Sequence, residues 1–163
     1  MSKAFLSLLA MALLAMTLLA LPGLAQTAAP TVLGQWRTID DALNEPRSIV
    51  TLYEQDGAVH GRVEEIFFRP GEPDNPTCRE CPGDKQGQPI VGLEFMWDFE
   101  QDGADTWAGG RILDPENGKV YKAKMKLRDD GRLDVRGFIG ISAFGRTQTW
   151  ERVEDSEPGT DQE

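Results

Sequence analysis

Residues 120–128 alternate between two kinds of side chain, and this alternation constrains the fold more than any other feature of the chain. The segment places Tyr121, Ala123, Met125 and Leu127 between Lys122, Lys124, Lys126 and Arg128. Side chains two positions apart share one face of a β-strand, so the segment predicts a strand with one buried and one solvated face. The turn sequence Asp129-Asp130-Gly131 follows, and the alternation resumes over 133–139. These two strands are therefore expected to pair antiparallel as a hairpin.

The same period of two recurs along the rest of the chain, with turn residues between the runs. It predicts six further strands at 34–39, 48–54, 58–68, 90–100, 105–113 and 145–153, and no helix. Closing eight sequential strands on themselves removes both open sheet edges. The predicted fold is therefore all-β, an eight-stranded antiparallel up-and-down barrel with room for one small ligand. A two-sheet sandwich is the alternative fold.

The two ends of the chain differ in composition from this body. An apolar run over residues 4–21, behind Lys3 and ahead of Pro22 and Gly23, predicts a signal peptide over residues 1–25, cleaved before Gln26. An uncleaved membrane anchor is the alternative, because the run barely reaches the length needed to span a bilayer. Residues 26–30 are a linker, 31–153 the barrel domain, and 154–163 a disordered acidic tail. The predicted location is periplasmic or secreted, with no membrane-embedded segment after cleavage.

Composition excludes several classes of function. A length of 163 residues favours one domain, and a formal net charge of −10 argues against a nucleic-acid partner. One His and two Cys cannot supply the four ligands of a structural zinc site. No nucleophile motif is present either, so the sequence predicts a protein that is not an enzyme and that has no cofactor or metal.

Cys78-Arg-Glu-Cys81 lies in a Pro- and Gly-rich loop over residues 69–89. In an oxidising compartment two Cys at this spacing are expected to form a local disulfide. Two alternatives stay open: a redox-active dithiol, and a metal site that recruits His60 and outside ligands. The redox alternative lacks the helix that lowers the thiolate pKa in such enzymes.

Several other polar residues have plain structural interpretations. His60 lies opposite Val59 and is expected at the surface or rim, while Glu94 and Asp98 are expected on a solvated face. A basic stripe is formed by Lys122, Lys124, Lys126, Arg128, Arg132 and Arg136. It is most simply a wet strand face, and docking of an anionic surface or a protein is the alternative. Small residues on the strands favour an interior cavity, for which Trp107, Arg111 and Tyr121 are the predicted ligand-binding residues.

Gly34-Gln35-Trp36 resembles the Gly-x-Trp signature of lipocalins, in which the Trp closes one barrel end beneath a basic side chain of the last strand. Gly34, Trp36 and either Arg146 or Arg152 are the residues that this resemblance assigns to barrel closure. A longer series of motifs is more specific: Cys78-x-x-Cys81, Pro89-Ile-Val-Gly-Leu93, Trp107-Ala-Gly-Gly-Arg-Ile-Leu-Asp-Pro115, Asn117-Gly-Lys-Val-Tyr121, Arg136-Gly-Phe-Ile-Gly140 and Phe144-Gly-Arg-Thr-Gln-Thr-Trp150.

Taken in order, these motifs resemble the DUF2147 family of exported bacterial proteins over roughly residues 34–152. The resemblance implies a lipocalin-like (calycin-type) barrel without an established activity. We therefore expect a carrier or binder of a small apolar or amphipathic molecule in the cell envelope. The alternatives are an interaction module that docks an unknown protein partner through the basic stripe or the Cys loop, and a thiol-disulfide redox protein.

Overall fold

A computed structural model describes residues 31–74 and 76–153 of the chain. The predicted signal peptide, linker and acidic tail lie outside these described residues. The strands are β1 Gly34–Asp40, β2 Glu45–Gln55, β3 Ala58–Ile66, β4 Glu94–Gln101, β5 Thr106–Ala108, β6 Arg111–Leu113, β7 Val120–Leu127, β8 Leu133–Phe138 and β9 Gly145–Arg152. Among the described residues, the one helical element is a 3-10 turn at Gly83–Lys85. None of the described helices has the length and apolar character needed to cross a bilayer.

The strands form one closed antiparallel sheet. Strands that follow one another in sequence pair, except that β5 and β6 each pair with β4 and β7, and β1 pairs with β9 to close the ring. This arrangement confirms the up-and-down barrel that the alternation predicts, and it excludes the two-sheet sandwich. Because neighbouring strands run in opposite directions, the chain connections alternate between the two ends of the barrel.

One predicted strand is divided in two. The segment predicted as 105–113 forms β5 and β6, which share a single position between β4 and β7, so nine strands occupy eight places in the barrel. Gly109 and Gly110 separate the two pieces, and Gly109 has a φ of 79°. This left-handed backbone interrupts the alternation, because a regular strand requires negative φ.

Strand β4 carries two irregularities against β3. The pairing register shifts between Val59 and Gly61 and again between Gly61 and Arg62, and Asp98 has a φ of 62°. As a result the consecutive residues Phe95 and Met96 are both buried. Such bulges add a residue to one strand and re-aim the side chains beside it.

The core fills one end of the barrel. Its fully buried members include Trp36, Trp150, Phe99, Leu52, Met125 and Leu133, which come from six different strands. The other end of the barrel opens into a cavity. We refer to these as the closed end and the open end.

Candidate functional site

At the closed end Trp36 lies beneath an arginine of the last strand. Trp36 is 0% exposed, and its indole Nε1 donates a 2.8 Å hydrogen bond to the carbonyl oxygen of Val32. The Arg152 guanidinium lies 4.2 Å from the centre of the Trp36 ring and donates to the carbonyl oxygens of Thr31 and Leu33. Burial lowers the pKa of Arg152, although an arginine remains a cation at neutral pH. This arrangement seals the barrel and ties the segment before β1 to its last strand.

The open end leads into a cavity of about 870 Å³. This volume lies within the range of small-molecule sites in proteins. The deeper lining is apolar, with Val50, Val63, Val135, Phe95 and Trp150. The rings of Phe95 and Trp150 pack with their centroids 6.4 Å apart and form part of the floor.

Neutral polar side chains line the wall above this floor. Thr38 and Ser48 share a 2.7 Å hydrogen bond between their hydroxyl groups. Gln148 and Tyr121 complete the set, and no hydrogen bond of the Tyr121 hydroxyl group is found within the described residues. The wall therefore offers donors and acceptors to a ligand without placing a net charge inside the barrel.

Three ion pairs surround the open end. Arg47 donates a 2.7 Å hydrogen bond to Glu72, Arg69 lies 3.0 Å from Asp40, and Arg146 donates a 2.7 Å hydrogen bond to Asp41. The Arg69 guanidinium and the backbone N–H groups of Leu43 and Ala42 lower the pKa of Asp40 to about 2. Each of these three arginines is thus matched by a carboxylate, and the pairs carry no net charge at neutral pH.

The three predicted ligand-binding residues occupy different places. Tyr121 lines the cavity. Trp107 is buried and pairs with Met125, but it does not line the cavity. Arg111 pairs with exposed Lys122, and its guanidinium donates to the carbonyl oxygens of Gly109 and Gly110, so its assignment to the cavity is wrong. The Gly109-Gly110 interruption explains the error, because it reverses which side chains point inward after β5.

The two arginines considered for barrel closure are also separated. Arg152 lies over Trp36, whereas Arg146 lies at the opposite, open end and lines the cavity. Gly34 is at the closed end, with a φ of 114° and the Arg152 side chain against it. Arg146 is therefore a residue of the rim rather than of the closure.

Thr38, Ser48 and Gln148 were missing from the sequence-based site. The alternation of inward and outward side chains could have identified two of them, Thr38 and Gln148. Trp36 and Trp150 point inward, so Thr38 and Gln148, each two residues away toward the open end, must also point inward.

Cys78 and Cys81 form a disulfide, as predicted. Cys78 is 0% exposed and Cys81 is 3% exposed. The loop that carries them is ordered by backbone hydrogen bonds from Cys78 to Gln88 and from Ile90 to Pro76. Its Pro73, Pro76 and Ile90 form part of the cavity lining. The disulfide thus braces a loop that contributes to the site.

His60 and Glu94 are less exposed than predicted. His60 does lie opposite Val59, but it is only 8% exposed and its Nδ1 lies 3.2 Å from Glu94 Oε2. Tyr53 donates a 2.9 Å hydrogen bond to the same oxygen, and Lys85 lies 3.5 Å from the other. The Cys loop brings Lys85 to this wall, and no local pattern in the sequence predicts that contact.

This cluster shifts two pKa values. Burial, followed by the hydrogen bond to Glu94, raises the pKa of Tyr53 to about 12. Burial alone raises the pKa of Glu94, but hydrogen bonds from Tyr53 and His60 and the charge of Lys85 outweigh it, so the pKa lies below its ordinary value. Within residues 31–74 and 76–153, no group of three His, Cys, Asp or Glu side chains is arranged to hold a metal.

The basic stripe is largely a solvent-exposed strand face. Lys126 lies near Asp105, Arg128 and Arg132 pair with Asp130, and Arg136 donates to Thr147 and to two backbone carbonyls. Three of its six cations, Lys126, Arg128 and Arg132, therefore lie beside acidic side chains, as is usual on antiparallel sheets.

Comparison with known proteins gives a consistent result. A search of curated proteins finds no match. A solved structure described as "Protein HP1028 from the human pathogen Helicobacter pylori belongs to the lipocalin family" is similar, with a TM-score of 0.66 and 19% sequence identity. The similarity covers 77% of this chain and 84% of that chain, and at this identity it supports the fold alone.

The family model described as "Uncharacterized protein conserved in bacteria (DUF2147)" matches residues 34–152. This range begins at the first residue of β1 and ends at the last residue of β9. The match confirms the resemblance carried by the motifs. The chain therefore belongs to the DUF2147 family of bacterial proteins, and its fold is a lipocalin-like β-barrel.

Proposed function

We propose that this protein binds a small apolar or amphipathic molecule inside its barrel and that it is a carrier or binder rather than an enzyme. The observation that carries the proposal is the cavity of about 870 Å³ that opens at one end of a closed, sealed barrel. Pockets that hold small molecules are usually concave, mostly apolar and supplied with a few polar groups. The lining of this cavity has that composition.

The order of polarity along the barrel axis favours one orientation of the ligand. The floor is apolar, the wall carries neutral hydroxyl and amide groups, and the rim carries Arg47 and Arg146 together with the carboxylates of Asp40, Glu72, Asp114 and Glu116. A molecule with an apolar body and a polar head fits this order with its body at Trp150 and its head near the rim. Burying the apolar body supplies most of the binding energy, and the polar head keeps its contact with water.

We propose the periplasm or the exterior of a bacterial cell as the site of action. Two observations support this location. The family is bacterial, and the buried Cys78–Cys81 disulfide is typical of oxidising compartments. The predicted signal peptide over residues 1–25 agrees with it, although it lies outside the described residues.

Two measurements test binding. Native mass spectrometry of protein purified from its own host is expected to find a copurified small molecule. A fluorescent fatty-acid probe is expected to bind saturably, with one probe per chain, and to be displaced by unlabelled fatty acid. Absence of a copurified molecule together with absence of saturable binding would overturn the proposal.

A matched pair of variants locates the probe. A Cβ added at Gly137 meets Ile112 and Tyr121 at ordinary contact distances of 3.5 and 3.8 Å. The side chain of Gly137→Leu therefore enters the cavity without striking the backbone and reduces the space left for a ligand. We expect it to weaken probe binding by about tenfold or more, because the added side chain competes for the ligand's space. Lys124→Leu places the same side chain on the exposed outer face and is expected to leave the affinity unchanged. Equal affinities of the two variants would place the probe elsewhere.

The redox alternative receives no support from the loop. A disulfide exchanges by direct attack on a sulfur, and Cys78 is fully buried. The interaction-module alternative through the basic stripe is weakened by the acids beside Lys126, Arg128 and Arg132, which lower the net positive charge of the stripe. Reversing the charge of Lys122, Lys124 and Lys126 distinguishes docking through the stripe from ligand binding inside the barrel. The change is expected to abolish such docking and to leave probe binding intact.

A further inference from the structure

The two ends of the barrel differ sharply in polarity. Within the described part of the chain, the exposed large apolar side chains are Leu43, Phe68, Val91, Val120, Ile139, Ile141 and Phe144. All of them lie on strand ends or connections of the open-end half. The three closed-end turns, at residues 56–57, 102–105 and 128–132, contain Asp and Gly and no large apolar side chain.

Five of these side chains lie on connections at the end of the barrel where the cavity opens, and we call them the mouth patch: Leu43, Phe68, Ile139, Ile141 and Phe144. They come from the β1–β2 turn, the end of β3 and the β8–β9 connection. Ion pairs join these segments, because Arg146 reaches Asp41 and Arg69 reaches Asp40. Phe68, Ile139 and Phe144 also line the cavity, so the patch continues into the proposed ligand site. The polar β6–β7 turn at residues 114–119 limits it on one side.

The patch is held outward by its own backbone. Arg136 donates hydrogen bonds of 2.8 and 3.3 Å to the carbonyl oxygens of Ser142 and Ala143, and the N–H of Phe144 donates to the carbonyl oxygen of Ile141. Phe144 is 77% exposed and Ile141 is 62% exposed on this braced turn. Exposed apolar clusters of this kind in soluble domains usually mark an interaction site.

We infer that the mouth patch docks on the surface of a lipid bilayer with uncharged or zwitterionic headgroups. The charges select this occupant. The three rim ion pairs carry no net charge, and Asp114 and Glu116 at the same opening are acidic, so the open end does not attract an anionic headgroup. The formal net charge of −10 on the chain likewise repels an anionic surface. Membrane affinity scales with the apolar area that is buried at the interface, and because Phe68, Ile139 and Phe144 also line the cavity, a bilayer extends that apolar lining into its acyl region. The inference adds a docking surface to the proposed ligand site and does not depend on that site being filled.

Such docking has a consequence for the cavity. Because Phe68, Ile139 and Phe144 belong both to the patch and to the cavity lining, contact with a bilayer joins the cavity to the apolar phase. An amphipathic molecule then passes between them without crossing water. The polar closed end, with Trp36 and Arg152 sealed inside it, faces away from the membrane.

Flotation with phosphatidylcholine vesicles tests the inference. The test variant is Leu43→Asp with Ile141→Asp, because both side chains are exposed and neither lines the cavity. The matched control is Gln55→Asp with Ala104→Asp, which adds the same charge at exposed positions of the closed end. We expect the wild-type chain and the control to float, and we expect the partition coefficient of the test variant to fall by about tenfold or more. Adding phosphatidylglycerol is expected to weaken the binding of the wild-type chain.

Three results would overturn the inference. The first is no flotation of the wild-type chain with vesicles of either composition. The second is equal partitioning of the test variant and the control. The third is a wild-type dimer in sedimentation that Leu43→Asp with Ile141→Asp converts to a monomer, since a second copy would then cover the patch. Binding of the fatty-acid probe without vesicles, measured on the same samples, distinguishes failure of docking from failure of the ligand site.

Discussion

Arg152 joins the last strand of the barrel to the segment before β1. Its guanidinium covers Trp36 and donates to two carbonyl oxygens of the segment before β1. We expect Arg152→Ala to lower the free energy of unfolding by about 1–3 kcal/mol, since a cation–π contact and two hydrogen bonds are lost. Arg152→Lys keeps the charge and is expected to recover only part of the loss, because an ammonium lacks the planar fork. Urea denaturation measures both, and an Arg152→Ala variant as stable as the wild-type chain would contradict this role.

Tyr53 is expected to titrate later than an ordinary tyrosine. Burial and the Glu94 carboxylate raise its pKa from 10.0 to about 12. Ultraviolet titration of the chain, which contains two Tyr, should therefore show a component near pH 12 that is absent from Tyr53→Phe. Because the folded state holds this proton more tightly, its contribution to stability is complete below pH 10 and is lost as the pH rises through 12. Both tyrosines titrating near pH 10 in the folded chain would contradict the Tyr53–Glu94 contact.

The ring of Phe99 lies so close to Gly110 that it leaves no room for a side chain there. A Cβ at this position would overlap the Phe99 ring, whereas one at Gly137 meets only ordinary contacts. We expect Gly110→Ala to cost about 1–3 kcal/mol of stability, as overpacking of a filled core does. Gly137→Ala is the matched control, with an expected loss below about 1 kcal/mol. Thermal unfolding of both variants checks the difference, and equal melting temperatures would show that Phe99 moves aside freely.

At the scale of elements, the alternation located the strands but not their irregularities. Strands such as β7 and β8 follow a period of two without interruption, so their faces were predictable. The bulges in β4 and the division at Gly109-Gly110 reverse the faces of the residues that follow. The Gly pair was visible in the sequence as a point of backbone freedom, but the bulges beside Phe95 and Asp98 arise from pairing with β3, and no turn residue marks them.

The Cys loop is expected to stabilise the site without taking part in chemistry. In the chain-entropy model, closing so short a loop contributes about 2 kcal/mol. Replacing Cys78 and Cys81 together by Ala should therefore lower stability by about this amount while the β-sheet circular-dichroism spectrum is retained. Because both sulfurs are buried, we expect no catalysis of insulin reduction by the wild-type chain above the rate of the Cys78→Ala, Cys81→Ala variant. A wild-type rate that clearly exceeds that of the variant would restore the redox interpretation.

At the scale of the whole molecule, the sequence predicted the barrel and its closure but only part of its interior. The number of strands follows from local periodicity, and the Gly-x-Trp start indicates which end is sealed. The cavity depends on which side chains point inward in the half of the barrel nearer the open end. Tyr121 was found because β7 is regular, while Arg111 was misplaced by the interruption before β6. The contact of Lys85 with Glu94 depends on how a long loop folds back, which no local pattern encodes.

The polarity of the barrel follows from its connections rather than its strands. Closed-end turns are built from Asp and Gly, which suit tight hairpins. The open-end connections are longer and carry the mouth patch. A sealed, polar end and an open, apolar end agree with the proposal that the barrel holds a ligand and docks at its entrance.

The most direct test is a crystal structure of the chain with a fatty acid that carries bromine on its terminal carbon. The anomalous signal of bromine locates the end of the tail independently of the protein density. We expect one bromine peak inside the barrel, near Phe95 and Trp150, and the density of the carboxylate head toward the open end. A bromine peak found only on the outer wall, with the interior filled by side chains from Trp36 to Arg146, would contradict the account.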